Sequence, residues 1–327
     1  MIVHIYPNFT NYGGAQKILI DIANNLNKDK TQIIIGFNRK HQINPGYLFS
    51  NNVYYSTNIL NIFKADKILS HSRLTTSILK LISVFYLVNK TKIIHVHHNV
   101  FEDKKMFSLF PEKIIAVSNA AKLNLINFFN IEENKIKVIL NGIEDPINIK
   151  KDNKIDDIKF KPKIIYPGRI TPIKGQLKFL DFYLKNNFSF DLDFAGVGEE
   201  YLKLKLKLKK IENVNAIGHV NINIIFPKYN FTFLLSSKEG LPITLIESCA
   251  NGIPCLVYNV GGNNEIIKNG VNGYIINNQN EIPEIINKIN CLNASDWQKL
   301  SNNSRRIFES RFTLNRMIAE YQKFIFE

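Results

Sequence analysis

The chain has 327 residues, of which 45% are hydrophobic and 21% are charged, and its formal net charge is +14. This composition is that of a globular protein, and it excludes wholesale disorder, a collagen-like fibre and a disulfide-rich miniprotein. Since a typical domain has roughly 100–200 residues, the length predicts two domains. The positive excess is spread along the chain, with +8 in residues 1–150 and +6 in the remainder. The charge therefore permits nucleic acid, an anionic membrane or a phosphorylated small molecule as partner without selecting among them.

Three cysteines, at positions 249, 255 and 291, form no Cys-x-x-Cys pair. Sparse, odd-numbered cysteines argue against a disulfide scaffold and a zinc site, and they indicate a reducing compartment. The first residues lack the basic and long apolar regions of a signal peptide. The longest apolar run, 79–88, is interrupted by Lys80 and Ser83 and is too short to span a bilayer. We therefore expect a cytoplasmic protein.

In the first half of the chain, short apolar runs alternate with segments of helical periodicity. The predicted strands cover residues 2–6, 32–37, 67–69, 92–97, 113–117 and 136–140. A first helix opens at Gly13-Gly14, a second covers about 75–88, and a third begins at Ser118-Asn119 and ends near Phe129.

Turn residues and a mixed Lys/Asp run fill 141–161, so we place a domain boundary there. Beyond it, the predicted strands cover 163–166, 190–194, 214–217, 229–235 and 254–258, and the helices 174–185, 202–209, 243–250, 295–308 and 313–326. The segment 202–209 alternates Leu and Lys as a half-buried strand would. We predict a helix there because both residues are strong helix formers and a crossover must join the flanking parallel strands.

Strands that alternate with helices predict parallel sheets built from βαβ units. Two such halves of similar size predict an α/β protein of two doubly wound, Rossmann-like domains facing a cleft. The expected ranges are 1–150 and 151–310, with a last helix at 311–327.

Two glutamates, Glu239 and Glu247, flank the start of a predicted helix that follows a strand. A carboxylate at the carboxyl end of a parallel strand lies where ligands bind, and a helix N-terminus beside it favours phosphate. This arrangement suits a nucleotide sugar, with phosphate on the helix end and hydroxyls on the carboxylates. The alternative is that both glutamates are solvated surface charges.

Arg169 and Lys174 follow the first strand of the second half, in a turn that begins with Gly168. An Arg and a Lys across a tight turn can clamp a diphosphate, although a basic loop in a basic protein is the alternative. Gly13 and Gly14 follow the first strand of the chain, where glycine permits close approach to a ligand or makes a tight turn.

Three histidines occur in Ile-Ile-His-Val-His-His, with His95 and His97 on one sheet face and His98 at the strand end. The end histidine suits a sugar or phosphate contact, while structural roles and a metal triad are the alternatives. The pair Gly196 and Gly198 forms half of a dinucleotide fingerprint, and the third glycine is missing. The sequence Asp191-Leu-Asp193 resembles a metal-binding motif, but it lies at the start of a strand, away from the expected cleft.

Together these motifs resemble the retaining GT-B glycosyltransferases of family 4, the glycosyl transferases group 1, over nearly the whole chain. The strongest part is the Glu-x7-Glu motif, Glu239 to Glu247, in Ser-Ser-Lys-Glu-Gly-Leu-Pro-Ile-Thr-Leu-Ile-Glu-Ser. Supporting pieces are Tyr-Pro-Gly-Arg-Ile-Thr-Pro-Ile-Lys-Gly, Phe-Ala-Gly-Val-Gly, Ile-Gly-His-Val and Val-Gly-Gly-Asn-Asn-Glu, with Gly-Gly-Ala-Gln, Ala-Val-Ser-Asn and Asn-Gly-Ile in the first half.

The resemblance implies a role for each matched residue. Arg169 and Lys174 would bind the donor diphosphate, Glu247 the ribose, and Glu239 the transferred sugar. The remaining donor contacts would come from Gly14, Gly196, Val220, Leu241, Pro242, Ile243 and Thr244. His98 best matches the histidine near the reacting carbon, with His97 as the neighbouring alternative. The resemblance also implies that the last helix, 311–327, crosses back to the first domain.

The resemblance also implies metal-independent transfer of a hexose or N-acetylhexosamine, from a UDP-sugar in preference to a GDP-sugar. The acceptor would be a glycan or a polyprenyl-diphosphate-linked glycan in bacterial surface polysaccharide synthesis. The basic, aromatic stretch 104–110 suggests peripheral binding to an anionic membrane, and an ordinary solvated face is the alternative. The alternatives are an epimerase or phosphorylase on the same fold, and a non-catalytic sugar-nucleotide binder. A nucleic-acid partner is not expected, because no recognition helix, RRM signature or zinc finger is present.

Overall fold

The structure is a computed structural model, and it describes residues 1–85, 88–146, 162–188, 190–209 and 211–327. The chain forms two compact units, one of Met1–Ile143 with Thr313–Glu327 and the other of Glu144–Phe312. The domain boundary predicted between 150 and 151 falls in 147–161, which lies outside the described residues.

The first unit is built on a parallel sheet that has seven strands among the described residues. The strands are β1 (Ile2–Ile5), β2 (Gln32–Ile35), β3 (Val53–Ser56), β4 (Lys67–Ser70), β5 (Ile93–His97), β6 (Lys113–Ala116) and β7 (Ile136–Val138). They lie in the order β3-β2-β1-β4-β5-β6-β7. Because the order reverses between β1 and β4, these neighbours leave a crevice at their carboxyl ends.

Among the described residues, four α-helices connect these strands: α1 (Gly14–Asn25), α2 (Asn61–Lys64), α3 (Arg73–Val84) and α4 (Asn119–Asn127). The predicted apolar face of α1 is buried, and Ile18, Leu19 and Ile22 are inaccessible to solvent. The Ser118 side chain accepts a hydrogen bond from the Ala121 N–H and caps α4, as its sequence predicted.

The second unit repeats this plan with six parallel strands in the part of the chain that is described. They are β8 (Lys163–Pro167), β9 (Asp191–Ala195), β10 (Val214–Gly218), β11 (Phe231–Leu234), β12 (Cys255–Tyr258) and β13 (Gly273–Ile276). Their order is β10-β9-β8-β11-β12-β13, so the reversal lies between β8 and β11.

The helices of the second unit are α5 (Gln176–Lys185), α6 (Tyr201–Leu208), α7 (Ile222–Ile225), α8 (Ile243–Ala250), α9 (Asn263–Ile266), α10 (Ile282–Asn290) and α11 (Ala294–Arg311). The alternating Leu/Lys segment is the helix α6. Leu204 and Leu208, four residues apart, are buried, whereas Leu202 and Leu206 are exposed. The leucines are thus buried or exposed with the period of a helix and not of a strand. The helix predicted for this segment is confirmed.

The last helix, α12 (Leu314–Phe326), belongs to the first unit. Its Leu314 N–H donates to the Ile143 carbonyl at 2.8 Å, and the Arg316 guanidinium donates to the Leu140 carbonyl at 2.6 Å. Tyr321 and Met317 are fully buried. The fold class predicted from the sequence, two doubly wound α/β domains with parallel sheets, is confirmed.

Candidate functional site

The reversal of strand order in the second unit brings two loops to one edge of its sheet. One loop, 168–175, follows β8, and the other, 235–242, follows β11. The Ser237 N–H donates to the Ile173 carbonyl at 2.9 Å, so the loops are joined through their backbones. In open parallel sheets, ligands bind at such a reversal, outside the carboxyl ends of the strands.

Lys174 and Glu239, one from each loop, form an ion pair. The distance from Lys174 Nζ to Glu239 Oε1 is 2.5 Å, and the exposed fractions of the two side chains are 20% and 8%. The attraction between them is stronger than at the surface because water is largely excluded. The structure therefore removes the alternative that Glu239 is a solvated charge, and it joins two residues for which the resemblance implied separate contacts.

Tyr166 fixes the backbone that carries this ion pair. Its hydroxyl donates to the Lys174 carbonyl and accepts from the Leu235 N–H at 3.0 Å. Burial raises the pKa of Tyr166 well above its ordinary value, so the hydroxyl keeps its proton. Gly175 then turns the chain into α5 with φ of +77°, a conformation that glycine adopts without strain. The Lys174 backbone is thus held in place by the protein itself.

The Glu239 backbone packs closely against Gly261 and Gly262. A Cβ at Gly261 would lie 1.7 Å from the Glu239 carbonyl oxygen, and one at Gly262 would lie 2.2 Å from that of Gly240. Only glycine fits at either position, so the sequence Val-Gly-Gly places the Glu239 loop.

We expect Gly261→Ala to destabilise the protein more than Gly270→Ala. Both glycines have positive φ, +52° and +75°, but a Cβ at Gly270 would meet nothing within 4 Å. Gly270→Ala should lower the free energy of unfolding by about 1 kcal/mol through backbone strain. Gly261→Ala should lower it by about 1–3 kcal/mol more, because the Glu239 loop must move. Urea denaturation measures both, and equal losses would show that Gly261 does not place Glu239.

The α8 N-terminus follows the Glu239 loop directly. The entry to this helix is formed by Leu241, Pro242, Ile243 and Thr244. Pro242 is the N-cap residue of this helix, and its ψ of 121° is extended. The first N–H groups of an α-helix have no partner within the helix and carry partial positive charge, so they favour an anion. Glu247, half-buried, lies one turn into α8.

Arg169 lies exposed in the loop after β8, and its side chain has no ion-pair partner among the described residues. The Gln176 amide donates to the Arg169 carbonyl at 3.2 Å. Gly196, after β9, packs against this loop, since a Cβ there would lie 2.0 Å from the Gly168 carbonyl oxygen. Val220, after β10, is half-buried. The predicted donor residues of the second unit thus lie on consecutive loops at the carboxyl ends of β8, β9, β10 and β11.

In the first unit, Gly14 is the first residue of α1, and Gly13 is its extended N-cap. The Gly13 N–H donates to the Tyr47 hydroxyl at 3.0 Å, and that hydroxyl donates to the Asn11 carbonyl at 2.9 Å. Tyr47 therefore fixes the turn that opens α1, a contact that the sequence motif did not reveal.

The three adjacent histidines occupy different environments. His95 and His97 are buried side by side on β5, with a hydrogen bond of 3.2 Å between their rings, and His97 also bonds Asn124 at 3.3 Å. His98 lies just beyond the strand and is partly exposed. Burial lowers the pKa of His98 to about 4 and that of His97 to about 3, so both rings are neutral at pH 7. Of the three, His98 is the one that is not buried.

Two further histidines join this cluster and were missed in the sequence. His71 Nδ1 and His98 Nε2 are hydrogen-bonded at 2.9 Å, and the His4 and His71 rings lie 5.9 Å apart. His71 directly follows β4, and His4 lies in β1. The sequence did contain a signal for His71. It closely follows the predicted strand 67–69, just as His98 follows the predicted strand 92–97. His71 holds the ring of His98 in one orientation.

Among the described residues, no three His, Cys, Asp or Glu side chains are arranged so that they could hold a metal ion together. The Asp193 carboxylate instead accepts hydrogen bonds from the Tyr229 hydroxyl at 2.6 Å and from the Asn215 amide at 2.9 Å. Its role is to join neighbouring elements of the second unit.

Within the described ranges, no helix combines the length and the apolar character that a membrane span requires.

Known proteins resemble this chain in sequence and in fold. WbnH of Escherichia coli, an O-antigen biosynthesis glycosyltransferase, is 26% identical over 289 residues, which cover 81% of this chain and 83% of that protein. The UDP-Gal:alpha-D-GlcNAc-diphosphoundecaprenol alpha-1,3-galactosyltransferase of the same species is 29% identical over 197 residues, 54% of this chain and 50% of that protein. Anabaena HepE, solved in complex with UDP, has a TM-score of 0.79 at 17% identity, covering 98% of both chains.

The family model described as glycosyl transferases group 1 matches residues 148–311. This range contains both loops of the candidate site and α8. As the match covers half of the 327 residues, the protein belongs to the glycosyl transferases group 1 family and is a glycosyltransferase.

Proposed function

We propose that the protein transfers a hexose or N-acetylhexosamine from a nucleotide diphosphate sugar, with UDP favoured over GDP, to a glycan or lipid-linked glycan. The observation that carries this proposal is the ion pair between Lys174 and Glu239, at the strand reversal and next to the α8 N-terminus. A cation, the N–H groups of a helix N-terminus and carboxylates then lie within one short stretch of the sheet edge. A diphosphate joined to a sugar needs this combination of groups.

The proposal gives each group of the donor its own contacts. Lys174, Arg169 and the α8 N–H groups bind the diphosphate. When the donor enters, Lys174 shares its charge between a phosphate oxygen and Glu239, which in turn accepts hydrogen bonds from the sugar hydroxyls. Glu247 accepts from the ribose. The loops that carry Gly196 and Val220 receive the base.

Transfer is proposed to retain the anomeric configuration, as in the glycosyltransferases of family 4. The bond between the anomeric carbon and the diphosphate oxygen breaks, and the acceptor hydroxyl attacks from the same face. Its proton passes to the departing diphosphate oxygen. Lys174, Arg169 and the α8 N-terminus stabilise the charge that develops on that oxygen, so they supply the electrostatic assistance that a divalent cation gives in other transferases.

The relatives support the choice of substrate and pathway. WbnH is named for O-antigen biosynthesis, and the galactosyltransferase is named for a UDP-sugar donor and a diphosphoundecaprenol acceptor. CapH of Staphylococcus aureus, 32% identical over 173 residues, is named for capsular polysaccharide biosynthesis. We propose that this chain likewise builds a bacterial surface polysaccharide on a lipid-linked acceptor at the cytoplasmic face of the membrane.

Thermal unfolding with UDP, GDP or CMP, each measured once with a metal chelator and once with a divalent cation, tests the donor site. A nucleotide at about 100 times its dissociation constant adds about 2.7 kcal/mol to the free energy of unfolding, which is a visible rise in Tm. We expect a rise with UDP that is lost in Lys174→Ala and kept in Lys185→Ala, an exposed lysine at the end of α5. If none of the three nucleotides raises Tm, the proposed donor site is contradicted. If UDP raises Tm only when a divalent cation is present, metal independence is contradicted.

A further inference from the structure

An apolar stripe runs along the solvent side of α3 in the first unit. Leu74, Ile78, Leu81 and Phe85 recur at intervals of four, three and four residues, which places them on one face of the helix. Their exposed fractions are 62%, 40%, 52% and 73%. Single exposed leucines are common in folded proteins, but a continuous apolar stripe marks a surface that binds something.

The segment 104–109 extends this stripe. Met106 and Phe107 are 91% and 79% exposed, the highest fractions among the large exposed hydrophobic residues of the described chain. The Ser77 hydroxyl, on α3, donates to the Phe107 carbonyl at 3.1 Å and accepts from the Leu109 N–H at 2.9 Å. The two surfaces are therefore tied together, and the two side chains stand out in solvent while their backbone is held.

Basic residues accompany these apolar ones. Lys104 and Lys105, next to Met106, are both exposed, and Lys80 lies on α3. The charge of Arg73 is matched by Asp103, at 3.0 Å. The lysines thus leave a local positive surplus in a chain whose net charge is +14.

We propose that the docking face, defined as Leu74, Ile78, Leu81, Phe85, Met106 and Phe107, binds an anionic membrane surface. Exposed aromatic and aliphatic side chains enter the boundary between headgroups and acyl chains, and neighbouring lysines attract anionic headgroups. The lysines favour a membrane over a second copy of this chain, because self-association would bring like charges together. This inference rests on the proposed function in one respect, that a lipid-linked acceptor would be met at such a surface.

Flotation with vesicles tests the proposal on the full chain. We expect the protein to float with vesicles of phosphatidylglycerol and phosphatidylcholine in equal parts, and to stay in solution with phosphatidylcholine alone. Met106→Glu with Phe107→Glu should reduce binding at least tenfold. Lys104→Ser and Lys105→Ser should each reduce it about fivefold, since one lysine near an anionic surface contributes about 1 kcal/mol. Leu123→Glu is the matched control, because Leu123 is 54% exposed on α4 of the same unit, outside the docking face.

The possible outcomes are separable. Failure to float with anionic vesicles, or equal loss of binding in the Leu123 control, would overturn the proposal. A concentration-dependent dimer in light scattering that Met106→Glu with Phe107→Glu abolishes would assign the face to a second copy instead. The rise in Tm with UDP is measured on every variant, and we expect it unchanged. Its absence in the wild type would count against the donor site and not against the docking face.

Discussion

Replacing Lys174 with alanine is expected to lower the rate of sugar transfer by at least a hundredfold while the protein stays folded. Removal of one preorganised group that stabilises developing charge costs about 10²–10³ in kcat. Here the loss is compounded, because Lys174 Nζ also lies 2.5 Å from Glu239 Oε1. Without its partner, Glu239 keeps a carboxylate that is only 8% exposed, which repels the donor diphosphate.

The two members of the pair should fail in different ways. Lys174→Ala should weaken UDP binding and slow transfer, because its ammonium binds a group present in both UDP and the donor. Glu239→Gln should leave UDP binding nearly intact and lower kcat for the UDP-sugar, since its proposed partner is the sugar. The measurements are the UDP dissociation constant by calorimetry and initial rates of transfer to a water-soluble acceptor analogue.

Matched variants control for charge and for folding. Lys185→Ala and Glu284→Ala each remove one exposed charge from the same unit and should leave transfer unchanged. Circular dichroism and Tm establish that the variants are folded. A Lys174→Ala enzyme with wild-type activity would refute the diphosphate assignment. If Lys174→Ala and Glu239→Gln weaken UDP binding equally, the ion pair serves only to hold the two loops together.

The local pattern of the chain was sufficient to predict the elements that build the site. Helix α8 begins and ends where its sequence predicts, at Ile243 and Ala250. Strands in the sheet interior are also recovered, because most of them have continuous apolar runs. The strands β3 and β13 were missed, and both lie at sheet edges. A four-residue edge strand such as Val53–Ser56 is half-exposed and has no apolar run to mark it.

Contacts between distant segments were beyond the reach of the sequence pattern. Lys174 and Glu239 are 65 residues apart, and their contact depends on the order in which β8 and β11 pair. The same applies to His4 and His71, which reach the cluster around His98 because β1, β4 and β5 are neighbours in the sheet. The spacing of residues within one loop predicts which residue types lie at an edge of the sheet. Which two loops lie next to each other depends on the order of the strands in the sheet.

We expect the free energy of unfolding to fall steeply as the pH is lowered from about 6.5 to 5, because of this histidine cluster. Burial lowers the pKa of His97 to about 3 and that of His4 to about 4, and it holds the pKa values of His71 and His95 well below 6.5. The charge of Arg73 lowers the pKa values of His95 and His97 further.

The sign of the effect follows from proton binding. Below about pH 6.5 the unfolded chain protonates these histidines and the folded protein does not, so protons are taken up on unfolding and acid favours the unfolded state. Each buried histidine contributes about 1.4 kcal/mol per pH unit, so His4 and His97 alone remove about 3 kcal/mol by pH 5.5. Ordinary carboxylates begin to protonate only below this window.

Urea denaturation at a series of pH values between 7.5 and 5 measures the slope of the free energy of unfolding against pH, which counts the protons taken up. His97→Asn should reduce the number of protons taken up on unfolding by about one. This holds even if the substitution changes the free energy of unfolding by the same amount at every pH, because such a change leaves the slope against pH unaltered. His41→Gln, at an exposed position, should leave the slope unchanged. A flat wild-type profile across this window would mean that the buried rings accept protons in the folded state.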